Sequence, residues 1–317
     1  MELNSKIYIA GHKGMVGSAI WRALERKGYH NLIGHTREEL DLINQSAVEA
    51  FFAHERPEYV FLAAARVGGI QANNTYRAAF MYENLAIQTN VIHAAYKYGV
   101  KRLLFLGSSC IYPRDCTQPI KEEYLLTGPL ERTNEPYAIA KIAGLKMCES
   151  YNRQYGTQFI SAMPTNLYGP NDNFDLETSH VLPALIKKFT EAKEQKLPFV
   201  SVWGTGKPRR EFMHVDDAAE VVVFLMEIEF DIYRKLNVTH INVGTGIDIS
   251  ISDLATQIRD AVGYEGDIRY DRSISDGVAK KLLDVSLMEK LGWQAKVNLK
   301  DGIRSTCAWF VEHRSSL

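Results

Sequence analysis

The segment 6–25 constrains the fold more than any other stretch of this chain. Lys6-Ile-Tyr-Ile-Ala10 is a short apolar run with the composition of a buried strand. Gly11-His12-Lys13-Gly14-Met15-Val16-Gly17 follows at once, and Ser18-Ala-Ile-Trp-Arg-Ala-Leu-Glu25 then carries a helical pattern. Strand, glycine turn and helix in this order form the context of a dinucleotide-binding turn. The glycines let the backbone close on a pyrophosphate, whose charge is met by the helix N-terminus. The spacing is Gly-x-x-Gly-x-x-Gly rather than the commoner Gly-x-Gly-x-x-Gly. Taken alone, such a triplet also suits a tight turn with no ligand.

The same alternation continues downstream. Strand patterns at residues 31–36, 58–65, 103–106 and 159–163 are interleaved with long helical patterns at 80–98 and 137–155. This predicts an α/β fold, a Rossmann-type doubly wound parallel sheet, followed by a smaller C-terminal substrate-binding α/β domain. After Pro164 the pattern loosens into a turn-rich stretch, a helix at 182–193, a strand at 199–203 and a basic segment at 207–210. Residues 211–217 and 241–246 read as returning to the first domain. The expected division is therefore 1–170 plus 214–246 for the cofactor and 171–213 plus 247–317 for the substrate.

At 317 residues the chain suits one large or two modest domains. A net charge of −1 with no long basic run argues against nucleic acid or an anionic membrane as the main partner. No apolar stretch approaches the ~20 residues of a membrane span. The apolar run at the N-terminus passes straight into the glycine turn, unlike a signal peptide, so a cytoplasmic location is expected. The cysteines at 110, 116, 148 and 307 form no Cys-x-x-Cys pair. No metal site is expected, and a Cys110–Cys116 disulfide, though open on spacing, is disfavoured by that location.

Tyr137-Ala-Ile-Ala-Lys141 places a phenol and an ammonium on one helix face. Asn134 is positioned to cap this helix and Pro136 suits its first turn. A phenol ionises near pH ~10, and a neighbouring Lys⁺ is expected to lower that value, making the pair an acid/base candidate. Leu103-Leu-Phe-Leu106-Gly107 delivers Ser108, Ser109 and Cys110 to the carboxyl end of a strand, where open parallel sheets bind ligands. Arg37 directly follows the second predicted strand, where an acidic residue would otherwise read a ribose 2′-hydroxyl. With Lys13 inside the glycine turn, it favours a 2′-phosphate and hence NADP(H). Glu38 and Glu39 follow immediately and leave NAD use open.

These stretches together resemble the extended short-chain dehydrogenase/reductases and, within them, the GDP-L-fucose synthase family. The resemblance rests on residues 11–17, 63–70 with Asn73 and Asn74, 107–113, 134–141, Ser179-His180, 164–170, 210–217 and 281–284, and it spans essentially the whole chain. It implies C3/C5 epimerisation of GDP-4-keto-6-deoxy-D-mannose followed by NADPH-dependent C4 reduction to GDP-L-fucose. It also implies catalytic roles for Tyr137, Lys141, Ser108, Cys110 and His180, with Cys110 as base and His180 as acid. For the cofactor it implies Gly11, His12, Lys13, Gly14, Met15, Val16, Gly17, Arg37, Leu106, Gly107, Ser108, Ser109, Lys141, Pro164, Thr165, Asn166, Leu167 and His180. For the nucleotide-sugar it implies Lys188, Trp203, Arg210 and Asp276, and for the assembly a homodimer paired through the two long helices. A related 4,6-dehydratase would carry an acidic pair where this chain has Ser109-Cys110, and a simple 4-epimerase is the other neighbouring activity. A non-catalytic NADP-sensing protein would have no need of both Tyr137 and Lys141.

Overall fold

The computed structural model describes residues 1–274 and 276–316. In chain order its strands are Ile7–Ala10 (β1), Leu32–Ile33 (β2), Tyr59–Leu62 (β3), Arg102–Leu106 (β4), Phe159–Pro164 (β5), Asn166–Tyr168 (β6), Phe199–Trp203 (β7), Arg209–His214 (β8), Ile241–Val243 (β9), Asp248–Ser250 (β10), Asp267–Asp271 (β11) and Lys280–Lys281 (β12).

The apolar runs of β1, β3, β4 and β5 are continuous because both faces of their sheet are covered. Ile7 and Ile9 point into one core and Tyr8 and Ala10 into the other. The same period of two sends Leu104 and Leu106 one way and Leu103 and Phe105 the other. One face carries the helices Met15–Arg26 and Val215–Glu227; the other carries Gln45–Glu55, Arg77–Lys97 and Glu135–Tyr155. The six strands run parallel in the order β2-β1-β3-β4-β5-β9, so the chain reverses its sense of winding between β1 and β3. That reversal opens a crevice at the carboxyl ends of the strands.

A third core forms around Leu182, Ile186 and Phe189 of the helix Val181–Glu194, with Leu254, Ile258, Ile303 and Phe310 from two later helices. Its strands are β7 with β11, and β8 flanked by β10 and β12, with β6 also on β8. β8 joins the two halves: Phe212 enters the third core and Met213 the first. Met288 and Trp293, late in the chain, also pack into the first core.

Glu211 locks this junction. Its wholly buried carboxylate accepts the backbone N–H of Thr245 (2.6 Å), Gly246 (2.8 Å) and Leu283 (3.0 Å). Burial raises its pKa while these donors oppose the rise.

The second strand is two residues long rather than six, and the third ends at Leu62 rather than Ala65. Residues 35–38, beyond the second strand, line the crevice instead of continuing the ladder. Ile241–Val243 does return to the first sheet, beside β5. The helices Gln45–Glu55, Ile251–Val262 and Leu299–His313 were not read from the sequence.

Candidate active site

The glycine turn crosses the carboxyl end of β1. Gly11 has φ +82°, and a Cβ there would lie 2.9 Å from the Ala64 nitrogen. A Cβ on Gly17 would lie 2.0 Å from the Gly11 carbonyl oxygen, so helix and turn can approach this closely only without one. Gly14 occupies the N-cap of Met15–Arg26 with no side-chain cap, which leaves the first helical N–H groups to an anion. Met15 and Val16 open that helix and lean on the first core.

Residues 11–14 and 35–38 line a cleft of about 340 Å³. It brings Lys13 and Arg37 together, as their positions relative to the glycines predicted. Arg37 lies 3.7 Å from Glu83, which Arg66 also binds at 2.6 Å. Glu39 is taken up by the N–H of Thr36 (2.7 Å). His12 packs against Trp21, its Nδ1 is buried without a partner, and burial followed by Lys13 lowers its pKa. A glycine cradle, an uncapped helix start, two cations and an orphaned ring nitrogen fit a phosphorylated dinucleotide.

The second group gathers at the end of β4. Gly107 leaves no room for a Cβ, which would lie 2.2 Å from the Met163 methyl carbon. Ser108 Oγ accepts the Cys110 N–H at 3.3 Å as the chain enters the short turn Ser109–Ile111. Lys141 is buried. Its Nζ donates to the Leu106 carbonyl at 2.8 Å and sits 5.8 Å from the Tyr137 ring centroid. Burial pushes the Lys141 ammonium down to about 7. The Tyr137 phenol is pushed up, by burial first and by Cys110 second, with a hydrogen bond to Ser108 working against them. The expected depression of the phenol by Lys141 is therefore overturned, because desolvation dominates the environment of the phenol.

Asn134 stands at the N-cap position but makes no capping hydrogen bond, contrary to expectation. Its Nδ2 donates instead to Cys110 Sγ at 3.2 Å. Lys281 Nζ reaches the same sulfur from β12 at 3.8 Å. His180 directly precedes the helix Val181–Glu194, and its pKa is lowered by the surrounding protein and then by Lys281. All four cysteines are free thiols. Ser109 is buried beside this group, and Pro164, Thr165, Asn166 and Leu167 line the exit of β5. Thr165 Oγ1 (3.3 Å) and Asn166 Nδ2 (2.8 Å) both donate to the Glu211 carbonyl.

The third group lies on the smaller core. Lys188 Nζ sits 4.9 Å above the Trp203 ring and donates to the Ser201 carbonyl at 3.3 Å. Trp203 is 51% exposed, too open for a core role. Burial lowers the pKa of Arg210 and Asp276 opposes it. Asp276 braces a turn: its Oδ1 accepts the Thr205 N–H (2.9 Å) and its Oδ2 the Thr205 hydroxyl (2.6 Å). Gly204 in that turn has φ +77°, and a Cβ there would come within 2.2 Å of Asp276 Oδ1.

Sequence reasoning missed Asn134, Glu211 and Lys281 as parts of this site. The one available signal for Lys281 was its place in the 281–284 stretch.

A Rossmann crevice holding a glycine turn and a Ser108–Tyr137–Lys141 set defines a nicotinamide-dependent enzyme of the short-chain dehydrogenase/reductase class. Residues 7–244 match the NAD dependent epimerase/dehydratase family. The chain is 54% identical to the GDP-L-fucose synthase of Escherichia coli K12, over 98% of this chain and 97% of that protein. It is 55% identical to a putative GDP-L-fucose synthase 2 of Arabidopsis thaliana, over 99% and 94%. The solved structure of a GDP-mannoheptose C4 reductase from Campylobacter jejuni with NADP bound is 46% identical, covers 98% of this chain and 99% of its own, and superposes with a TM-score of 0.89. The chain belongs to the NAD dependent epimerase/dehydratase family and, within it, to the GDP-L-fucose synthases.

Proposed function

We propose that this enzyme converts GDP-4-keto-6-deoxy-D-mannose to GDP-L-fucose, epimerising C3 and C5 before reducing C4. One observation carries the reading. Cys110, a free thiol with two N–H donors on its sulfur, adjoins the hydroxyl set of a C4 reductase. A simple reductase needs only Ser108, Tyr137 and Lys141; enolisation beside the ketone needs a base as well.

Residues 11–17, Lys13 among them, and Arg37 would hold NADPH, which would supply hydride when bound. Ser108 donates a hydrogen bond to the C4 oxygen as negative charge develops there. Tyr137 gives that oxygen its proton. Lys141, brought towards neutrality by burial, stands beside the phenol and in its charged form would draw it down. Cys110 removes the protons on C3 and C5, and His180 returns protons from the opposite side. Lys188 and Arg210 meet the diphosphate, Trp203 packs on the nucleotide, and Asp276 accepts hydroxyls while bracing its turn. The first sheet and its two cores would serve the cofactor, and the third core the nucleotide-sugar.

The enzyme is expected in the cytoplasm as a homodimer. No helix among the described residues is long and apolar enough to cross a membrane. Tyr82, Ile139 and Tyr155 are exposed on the two long helices through which the pairing would run. Sedimentation would report the dimer.

Incubation with the keto sugar and NADPH in deuterated water tests the reaction. GDP-L-fucose should appear with deuterium at C3 and C5. Tyr137→Phe should cut reduction at least ~100-fold and leave exchange, whereas Cys110→Ser should abolish exchange and leave NADPH binding. Product reduced at C4 with no deuterium at C3 or C5 would sink the bifunctional reading.

A further inference from the structure

We propose that Lys281 is a positioning residue that holds Cys110 in its anionic form, with Asn134 orienting the sulfur; this rests on the reading of Cys110 as the base. The case begins with the two lysines of β12. Lys280 pairs with Asp248 at 3.1 Å. Its neighbour Lys281, among the described residues, forms no ion pair with a carboxylate, and its Nζ lies 3.8 Å from Cys110 Sγ instead. An ammonium has three donors and no acceptor, so it stabilises a thiolate and offers nothing to the proton of a thiol. Asn134 behaves differently. Its amide donates to the sulfur through Nδ2 while Oδ1 is buried without a partner, so a rotation of the amide would let Oδ1 accept from a thiol. Asn134 thus follows the sulfur through both protonation states, and Lys281 favours one.

The backbone carrying Lys281 is held on several sides. Leu282 donates to Gln118 Oε1 (2.8 Å) and Leu283 to buried Glu211 (3.0 Å), and the Leu282 carbonyl accepts the Ile120 N–H (2.7 Å). Such anchoring fixes the direction from which the ammonium approaches. The titratable groups sharing this space are Tyr137, whose phenol is pushed up by desolvation and then by Cys110, and His180, which desolvation and then Lys281 push towards neutrality. Cys116 also feels Lys281, although burial dominates there. In the base step one proton moves from carbon to Sγ, and the C–H electron pair passes into the enolate. Lys281 gains and loses nothing.

The test compares Lys281→Met with Lys281→Arg in a Cys116→Ser background. Two quantities are read: the pH profile of Cys110 alkylation by iodoacetamide, and deuterium exchange at C3 and C5 with its kcat and KM. Lys281→Met should move the alkylation midpoint up by about one pH unit or more, the usual effect of losing an opposite charge within ~4–6 Å, and should lower the kcat for exchange about tenfold. Lys281→Arg should restore most of both, and NADPH affinity should report intact folding throughout. An alkylation profile unmoved by Lys281→Met would overturn the proposal. So would a raised KM with unchanged kcat, which would assign Lys281 to the substrate's phosphates. Failure of the underlying reading shows separately, as normal exchange by Cys110→Ser with the alkylation shift of Lys281→Met still present.

Discussion

The end of this crevice proposed for the cofactor and the end proposed for the sugar are assembled differently. At the first, residues 11–14 form half the cleft lining in one contiguous turn, and 35–38 form the other half. At the second, Lys188, Trp203, Arg210 and Asp276 come from a helix, two strands and a loop, held by a core of their own. The turn is shaped by glycines that exclude Cβ atoms, a backbone property of short range. The proposed sugar side is shaped by contacts such as Lys188 on Trp203 and Asp276 on Thr205, which exist only when distant segments pack. The two ends should therefore respond independently to substitution.

Arg210→Ala makes the sharpest test of that independence. Burial of this guanidinium makes its charge count, and hydrogen bonds to charged groups are worth roughly 1.5–3 kcal/mol. KM for the GDP-sugar should rise by about tenfold to a hundredfold, with the NADPH dissociation constant unchanged in a fluorescence titration. Movement of both constants would break the comparison.

Arg37→Ala is the counterpart at the cofactor end, with a smaller effect. Its side chain is exposed and already near Glu83, so solvent and a competing carboxylate discount its charge. NADPH should bind about tenfold more weakly, NADH should be little affected, and KM for the sugar should not move. An unmutated enzyme that binds both cofactors equally would remove the 2′-phosphate role.

The last expected effect separates stability from chemistry. Lys141 titrates at about 7 in the folded protein against an ordinary 10.5. Between those values the unfolded chain binds more protons, so this group makes the cofactor-free protein more stable as pH rises, and its full cost applies below about 7. Lys141→Met removes that cost and loses one hydrogen bond to the Leu106 carbonyl. The net gain at pH 7 should be about 1–3 kcal/mol, seen as a few degrees in Tm, together with loss of that pH slope. The variant should be a poor reductase. A lower Tm would mean that the ammonium stabilises the fold.

Much of the fold was readable where the signal was local. The continuous apolar runs of β1, β4 and β5 announced strands covered on both faces, and 199–203 matched β7 to the residue. Arg77–Lys97 and Glu135–Tyr155 were anticipated within a few residues of their ends. The helix Gln45–Glu55 escaped because its apolar residues keep no clear helical period, whereas Ile251–Val262 carried a clear period with Ser250 and Gly263 as caps and was legible but unread. Of the site, the glycine turn, the Tyr137–Lys141 spacing and the Ser108–Cys110 strand exit were apparent from residue type and spacing.

The amino-acid sequence by itself determined what depends on neighbours along the chain: which turns tolerate no Cβ, which runs prefer a buried strand, and which side chains share a helix face. Only the tertiary structure decided the environment those groups enter. Lys281 meets a thiol 171 residues away, Asn134 leaves a capping role for the same sulfur, and Glu211 joins segments from two cores. The phenol of Tyr137 is raised, although a lysine stands one helical turn on. Each of these outcomes turns on desolvation and contacts at long range, which packing sets and local propensity does not encode.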